Sequence, residues 1–261
     1  MNYIFTSSVN LCDISNFINS FNTVYKNDNS TLLVIFTDDL KNYNRYTSEN
    51  IQIEVINYNS SVQHINNQRF TEYFKYIVSN NLEDDDVIFI CDSRDIIFTK
   101  DIFKTYKNKI HVYKDGLYNE LKYRLCDVHY NYETIVYNEI LLPKFDKIYN
   151  LMYKNIKNTC CAGTILGNKK DLLYHLEKIV NIMTLYNNKK RGMDKPGINT
   201  FAHNYAILQH PELYNIIENG KDVLTLGRIY EMVESNLIDY NIPCVIHMYD
   251  RFNETKEIFN V

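Results

Sequence analysis

The first part of this 261-residue chain alternates two kinds of apolar pattern, and that alternation leaves few folds open. The segment YIFTSS, residues 3–8, is a short apolar strand. After it, Ile14, Phe17, Ile18, Phe21 and Val24 recur at helical spacing, which predicts an amphipathic helix. LLVIFTDD (32–39) predicts a buried strand ending at Asp38 and Asp39. IQIEVINY (51–58) alternates at Ile51, Ile53 and Val55 as a half-exposed strand does. A second helix carries Phe70, Phe74, Ile77 and Val78 on one face, and DVIFICD (86–92) is another buried strand. Strand, helix, strand, strand, helix, strand in so short a span predicts an α/β domain with a Rossmann-like, mostly parallel sheet flanked by helices. In such sheets ligands bind beyond the carboxyl ends of the strands. That rule gathers Thr6, Ser7, Ser8, Asp38, Asp39 and the Asp92–Asp95 stretch on one rim.

The later chain is less regular. Residues 110–158 are rich in Tyr and Lys, with a helix expected around 146–157. CCAGTILG (160–167) reads as a buried strand. The helix after it has Leu172, Leu173, Leu176, Ile179, Val180 and Met183 on its apolar face and Asn168 as its cap. Pro196 is expected to start a further helix over GINTFAHNYAIL, and DVLTLG and PCVIHMYD are two more strands. No linker divides the chain, so a single domain is expected.

The chemistry-bearing feature is EDDDVIFICDSRDIIFTKDIF (83–103), where an apolar strand breaks into Asp92-Ser93-Arg94-Asp95 and then resumes as Ile96-Ile97-Phe98. A turn into solvent needs no such apolar return. Two carboxylates converging at a sheet rim form a ligand set for a hard divalent cation, which could screen a diphosphate. His247, in an apolar strand, is either a third ligand or a structural histidine. Gly163 is one of only 7 glycines, and a strand glycine suggests close approach of backbone to another group. Arg69 and Arg94 either clamp a phosphate or pair with the acids of Glu83–Asp86; for Arg94 the ion pair is expected. Glu83–Asp86 itself is expected to be a solvated loop.

The stretch VIFICDSRDIIFTKDIF resembles the metal-binding strand of GT-A fold glycosyltransferases, in which an apolar strand reaches an Asp-x-Asp motif and continues to an acidic-apolar pair. Setting Asp101-Ile102 on that pair puts Asp95 at the second, metal-binding Asp and Ser93 at the first. The form here is therefore Asp-x-x-Asp, with Asp92 one residue early and open to a role at the metal through water or at the ribose. CCAGTILG resembles the strand that lines the donor sugar, with Cys161-Ala162-Gly163 in that place. INTFAHNYAIL resembles a helix that usually opens Asp-Gln and reaches an Asn; Asn199, Thr200 and Asn204 fall there, and the first two depart. VIHMYDRF resembles the late strand whose His, here His247, completes the metal shell.

The resemblance spans residues 1–252 in element order and implies a GT-A type domain with a nucleotide-binding half, 1–105, and a donor-sugar and acceptor half, 106–261. It implies transfer of a sugar from a nucleotide-sugar donor, with UDP the nucleotide the superfamily favours, to a hydroxyl of a glycan or small-molecule acceptor. Thr6, Ser7, Ser8, Asp38 and Arg69 would hold the nucleoside and its phosphates. Asp92, Asp95 and His247 would hold Mn2+ or Mg2+, with Ser93 beside them. Ala162 and Gly163 would approach the sugar, and Asp194 and Asn199 would stand at the reacting or acceptor side. The alternative is a GT-A-like domain that binds a nucleotide, a glycan or a partner without turnover, as Asn199 and Thr200 would suit.

Other chemistries fit the sequence less well. A net charge of -4 offers no field for a nucleic-acid backbone. Neither a Gly-rich phosphate loop nor a Gly-x-Ser-x-Gly elbow nor an H-E-x-x-H helix occurs. The six cysteines form no C-x-x-C pair. With no signal-like or bilayer-length apolar segment, a reducing, cytoplasmic setting is expected, and a homo-oligomer is compatible with the sequence.

Overall fold

A computed structural model of the chain describes residues 1–10, 12–114, 160–187, 198–226 and 243–247. The elements in chain order are β1 (Asn2–Ser7), α1 (Ser15–Tyr25), β2 (Thr31–Thr37), the single turn α2 (Leu40–Tyr43), β3 (Ile51–Val55) and α3 (Ile65–Ser79). Then come β4 (Val87–Cys91), β5 (Ile96–Phe98), β6 (Ile110–Lys114), β7 (Cys160–Asn168), α4 (Lys169–Asn187), α5 (Ile198–Gln209), β8 (Tyr214–Ile217), β9 (Val223–Thr225) and β10 (Val245–His247). The helix expected around 146–157, Pro196 and Asp194 lie outside the described residues.

The protein is α/β. Its described strands form a seven-stranded sheet in the order β3-β2-β1-β4-β7-β6-β8, and β7 alone runs antiparallel to its neighbours. A mostly parallel sheet of this kind, flanked by helices, is consistent with a Rossmann-like fold. Helices α3, α4 and α5 pack on one face through Phe70, Tyr73, Ile77, Leu172, Leu176, Ile179 and Ala202. The other face is covered by α1 and by a small sheet of order β5-β10-β9, through Phe17, Phe21, Phe98, Val223 and Val245.

Most helix expectations hold, with one exchange. Asn168 caps α4 by accepting the backbone N–H of Asp171 at 2.8 Å, and Leu172, Leu176, Ile179 and Met183 are buried. On α3, however, Val78 is 60% exposed, while Tyr73 and Tyr76 turn inward and pack their rings against Phe5 and Phe36. Between α4 and α5, His175 and His203 are fully buried and joined ring to ring at 3.0 Å, and His175 also meets the Tyr214 hydroxyl at 2.8 Å. Burial depresses both imidazoles, His175 to about 3 and His203 well below the ordinary value.

The turn before β4 is not wholly solvated. Asp86 is buried and its carboxylate accepts the Glu83 N–H at 2.8 Å, while Asp84 pairs with Lys169 at 2.8 Å. Arg94 does not pair with these acids. It follows β4 whereas they precede it, and five strand residues separate the two ends by about 17 Å.

Candidate metal centre at the strand-order reversal

The chain runs outward from β1 to β2 to β3 and then returns to place β4 on the other flank of β1. At such a reversal the connections leave in opposite directions and open a crevice at the strands' carboxyl ends. β1 ends at Ser7 and β4 at Cys91, so Ser7, Ser8 and the Asp92–Asp95 stretch border that crevice.

The apolar return after Asp95 has a direct cause. β5 leaves the main sheet and pairs antiparallel with β10, matching His247 to Ile96, Ile246 to Ile97 and Val245 to Phe98. Phe98 then fills the space under α1, with the rings of Phe17, Phe21, Tyr25 and Phe89 around it. The polar stretch is thus a corner between two sheets, and both arms of the corner are buried.

That corner gathers three side chains. His247 Nε2 lies 3.1 Å from Asp92 Oδ2 and 3.7 Å from Asp95 Oδ1. One potential ligand atom from each of Asp92, Asp95 and His247 falls within 4.8 Å of the others. Ligands on opposite sides of Mg2+ stand about 4.2 Å apart, so a small contraction would close the set around an ion. Two carboxylate oxygens and one imidazole nitrogen suit Mn2+ or Mg2+, and three protein ligands leave positions for substrate oxygens. His247 is fully buried and Asp95 nearly so, whereas the Asp92 side chain is 27% exposed and faces the crevice.

Asp92 is held from behind. Arg69, 3% exposed on α3, pairs with Asp92 Oδ1 and donates to the Ala162 carbonyl at 3.4 Å. Arg69 therefore neither reaches the acids of Glu83–Asp86 nor stands free as a phosphate clamp; it orients a carboxylate. Two carboxylates and one guanidinium leave a single net negative charge when His247 is neutral. A site of that charge attracts a dication, and further anionic oxygens would strengthen the hold.

β7 supplies the wall. Asp92 N–H donates to the Gly163 carbonyl at 3.0 Å, continuing the β4–β7 ladder past Cys91 and Thr164. A Cβ on Gly163 would overlap Asp92 Oδ2 and stand 3.0 Å from His247 Cε1. The close approach expected of this glycine is therefore to the carboxylate and imidazole of the cluster. Cys161, two residues earlier, places Sγ 3.6 Å from His247 Nδ1 and accepts the Gly163 N–H at 3.3 Å. Sequence reasoning missed this contact; the available signal was the alternation that puts 161 and 163 on one face of the strand.

Several expected ligand contacts are instead structural ties. Thr6 is fully buried and its hydroxyl donates to the Cys91 carbonyl at 3.0 Å, so its side chain does not face the crevice. Ser93 donates to the Ser7 carbonyl at 2.8 Å, joining the two rims of the crevice. Tyr43 gives its hydroxyl proton to the Cys12 carbonyl at 2.7 Å, so the buried Ser8 donates to the Tyr43 oxygen, also at 2.7 Å. Asp38 is exposed, and both its oxygens accept the N–H of Asn10, at 3.2 and 3.4 Å, where the backbone turns left-handed with φ 58°.

The α5 residues sit at the back of β7. Asn204 accepts the Cys160 N–H at 2.8 Å and donates to the Cys160 carbonyl at 2.9 Å, pinning the helix to the strand. Asn199 is buried and its backbone N–H donates to Asn67 of α3 at 3.2 Å. No protein-family model matches this sequence, and a search of curated proteins returns no match. No helix among the described residues is long and apolar enough to cross a membrane.

Proposed function

We propose that this protein is a metal-dependent glycosyltransferase of the GT-A type, moving a sugar from a UDP-sugar or related nucleotide sugar to a hydroxyl of a glycan or other acceptor. The observation that carries the proposal is the convergence of Asp92, Asp95 and His247 at the strand-order reversal.

A bound Mn2+ or Mg2+ would neutralise the diphosphate as the glycosidic bond breaks. The chain's own residues do the rest by positioning. Asp95 and His247 would hold the ion from the buried side, and Asp92 from the open side, with Arg69 keeping Oδ2 turned inward. Gly163 leaves the room that Asp92 Oδ2 and the His247 ring need to stand together at the ion. Ser93 and Ser7 keep the crevice edges in register. Ser7 would border the nucleoside, with Ser8 and Asp38 shaping that rim through their ties to Tyr43 and Asn10.

The second reading is a domain of the same type that binds without turnover. Asn199 and Thr200 favour it, since they stand where the resembled helix opens Asp-Gln, and Asn204 ties that helix to the Cys160 backbone. Calorimetric titration of UDP and GDP in Mn2+ and then in EDTA tests the nucleotide binding. Saturable binding of one nucleotide that EDTA removes is expected; no binding by folded protein would defeat the enzyme reading and leave a domain that binds a glycan or a partner. Release of UDP from UDP-sugars then separates an enzyme from a binding module.

A further inference from the structure

We propose that the Cys161 thiol lets the single proton of a neutral His247 pass from Nε2 to Nδ1, and so frees Nε2 for a divalent cation. The proposal rests on the metal-centre reading above and assigns Cys161 as a positioning residue rather than a ligand. The imidazole ring stands between Cys161, which meets Nδ1, and the two carboxylates, which meet Nε2. Sulfur and carboxylates therefore cannot share one ion.

The two states of the site make opposite demands on Nδ1. Without a cation, a neutral His247 satisfies Asp92 by carrying its proton on Nε2, which is 3.1 Å from Oδ2. Nδ1 is then an acceptor and needs a donor. With a cation on Nε2, the same single proton must sit on Nδ1, which becomes a donor and needs an acceptor. No proton is gained or lost; it moves from one ring nitrogen to the other. A backbone carbonyl or a carboxylate can serve only the second state, because it only accepts. A thiol serves both, giving S–H to Nδ1 in the first state and taking N–H on sulfur in the second.

Burial makes the choice consequential. His247 is fully buried and Cys161 is 5% exposed, so an unmatched ring nitrogen there would pay the cost of a lost hydrogen bond. The Gly163 N–H, donating to the same sulfur at 3.3 Å, fixes where that sulfur stands in either state. Serine keeps both donor and acceptor capacity on a shorter bond, whereas alanine has neither.

The test uses the intact protein and Mn2+ or Mg2+ alone. Mn2+ affinity is measured by electron paramagnetic resonance for wild type, Cys161→Ser and Cys161→Ala, each checked for fold by circular dichroism. Ring 15N shifts of His247 are recorded metal-free and with Mg2+. We expect the wild-type proton to move from Nε2 to Nδ1 on Mg2+ binding, and Cys161→Ala to bind Mn2+ roughly 10- to 100-fold more weakly. Cys161→Ser should recover most of that loss. Wild type that binds Mn2+ no better than Cys161→Ala, with the same His247 shifts, overturns the proposal and leaves the metal centre standing. Wild type that binds no Mn2+ at all overturns both.

Discussion

His247 Nε2 stands 3.7 Å from Asp95 Oδ1 because His247 is paired with Ile96, the residue next to Asp95, across two antiparallel strands. The contact is thus set by backbone register rather than by a long side chain reaching across a loop. A one-residue slip of β10 against β5 would turn His247 to the opposite face. Ligand geometry fixed this way is already in place before a ligand arrives.

Asp95→Ala should abolish Mn2+ binding and, with it, Mn2+-dependent binding of UDP, while the far-ultraviolet dichroism stays that of wild type. Asp95 is the carboxylate nearly enclosed by protein, so its oxygen has no ready substitute from solvent. Mn2+ binding by this variant equal to wild type would move the ion elsewhere.

Gly163→Ala places a methyl group on Asp92 Oδ2 and against His247. We expect loss of Mn2+-dependent nucleotide binding together with destabilisation of about 1–3 kcal/mol, the usual cost of overpacking a tight site. Urea denaturation and calorimetry on the same sample check both. Unchanged binding would mean that Asp92 can leave the cluster without consequence.

Arg69→Met removes the cation behind Asp92 while keeping much of the side-chain volume. Breaking a buried ion pair by deleting one partner costs about 3–5 kcal/mol. Asp92 is 27% exposed, so solvent recovers part of that, and about 2–3 kcal/mol is expected. Freed from Arg69, the cluster also gains a net negative charge. Mn2+ alone should therefore bind at least as tightly as in wild type, provided Asp92 keeps its place. A melting curve and a Mn2+ titration separate the two effects.

Stability should fall as the solution becomes acidic. His175 and His203 are neutral when folded because burial depresses both, whereas in the unfolded chain each takes a proton near about pH 6.5. Below that pH the unfolded state binds more protons, so the folded state loses about 1.4 kcal/mol per pH unit for each imidazole. For His175 the loss continues down to its folded value of about 3. Urea denaturation in steps from neutral to mildly acidic buffer measures the slope, and His203→Gln should make it shallower. A flat wild-type profile would contradict a neutral buried pair.

The parallel half of the sheet was legible because β1, β2 and β4 are apolar on both faces, and β3 alternates. β6 and β8 were not. IHVYK mixes His, Tyr and Lys into a strand whose first four residues are buried, and YNII follows α5 after a single 3-10 turn, leaving no gap to mark it. Tyr73 and Tyr76 are two of 23 tyrosines, a residue too common in this chain to mark a core position, yet their rings fill the space beneath Phe5 and Phe36. Of the candidate site, Asp92, Asp95 and His247 were readable as chemistry at strand ends. Arg69 bonded to Asp92 was not, because it depends on how α3 packs over the end of β4, and Cys161 behind His247 was not, because it depends on which strand lies beside β4. That neighbour, β7, comes some seventy residues later in the chain.

Asp92 and His247 meet across 155 positions of sequence. A growing chain can complete its seven-stranded sheet, whose last described strand ends at Ile217, before residue 247 is made, yet β5 meets β10 only after that. Closing so long a loop is slow compared with local structure. The cluster is therefore completed only after the main sheet. Any divalent ion it holds would be acquired once that sheet stands and would not guide the early steps of folding.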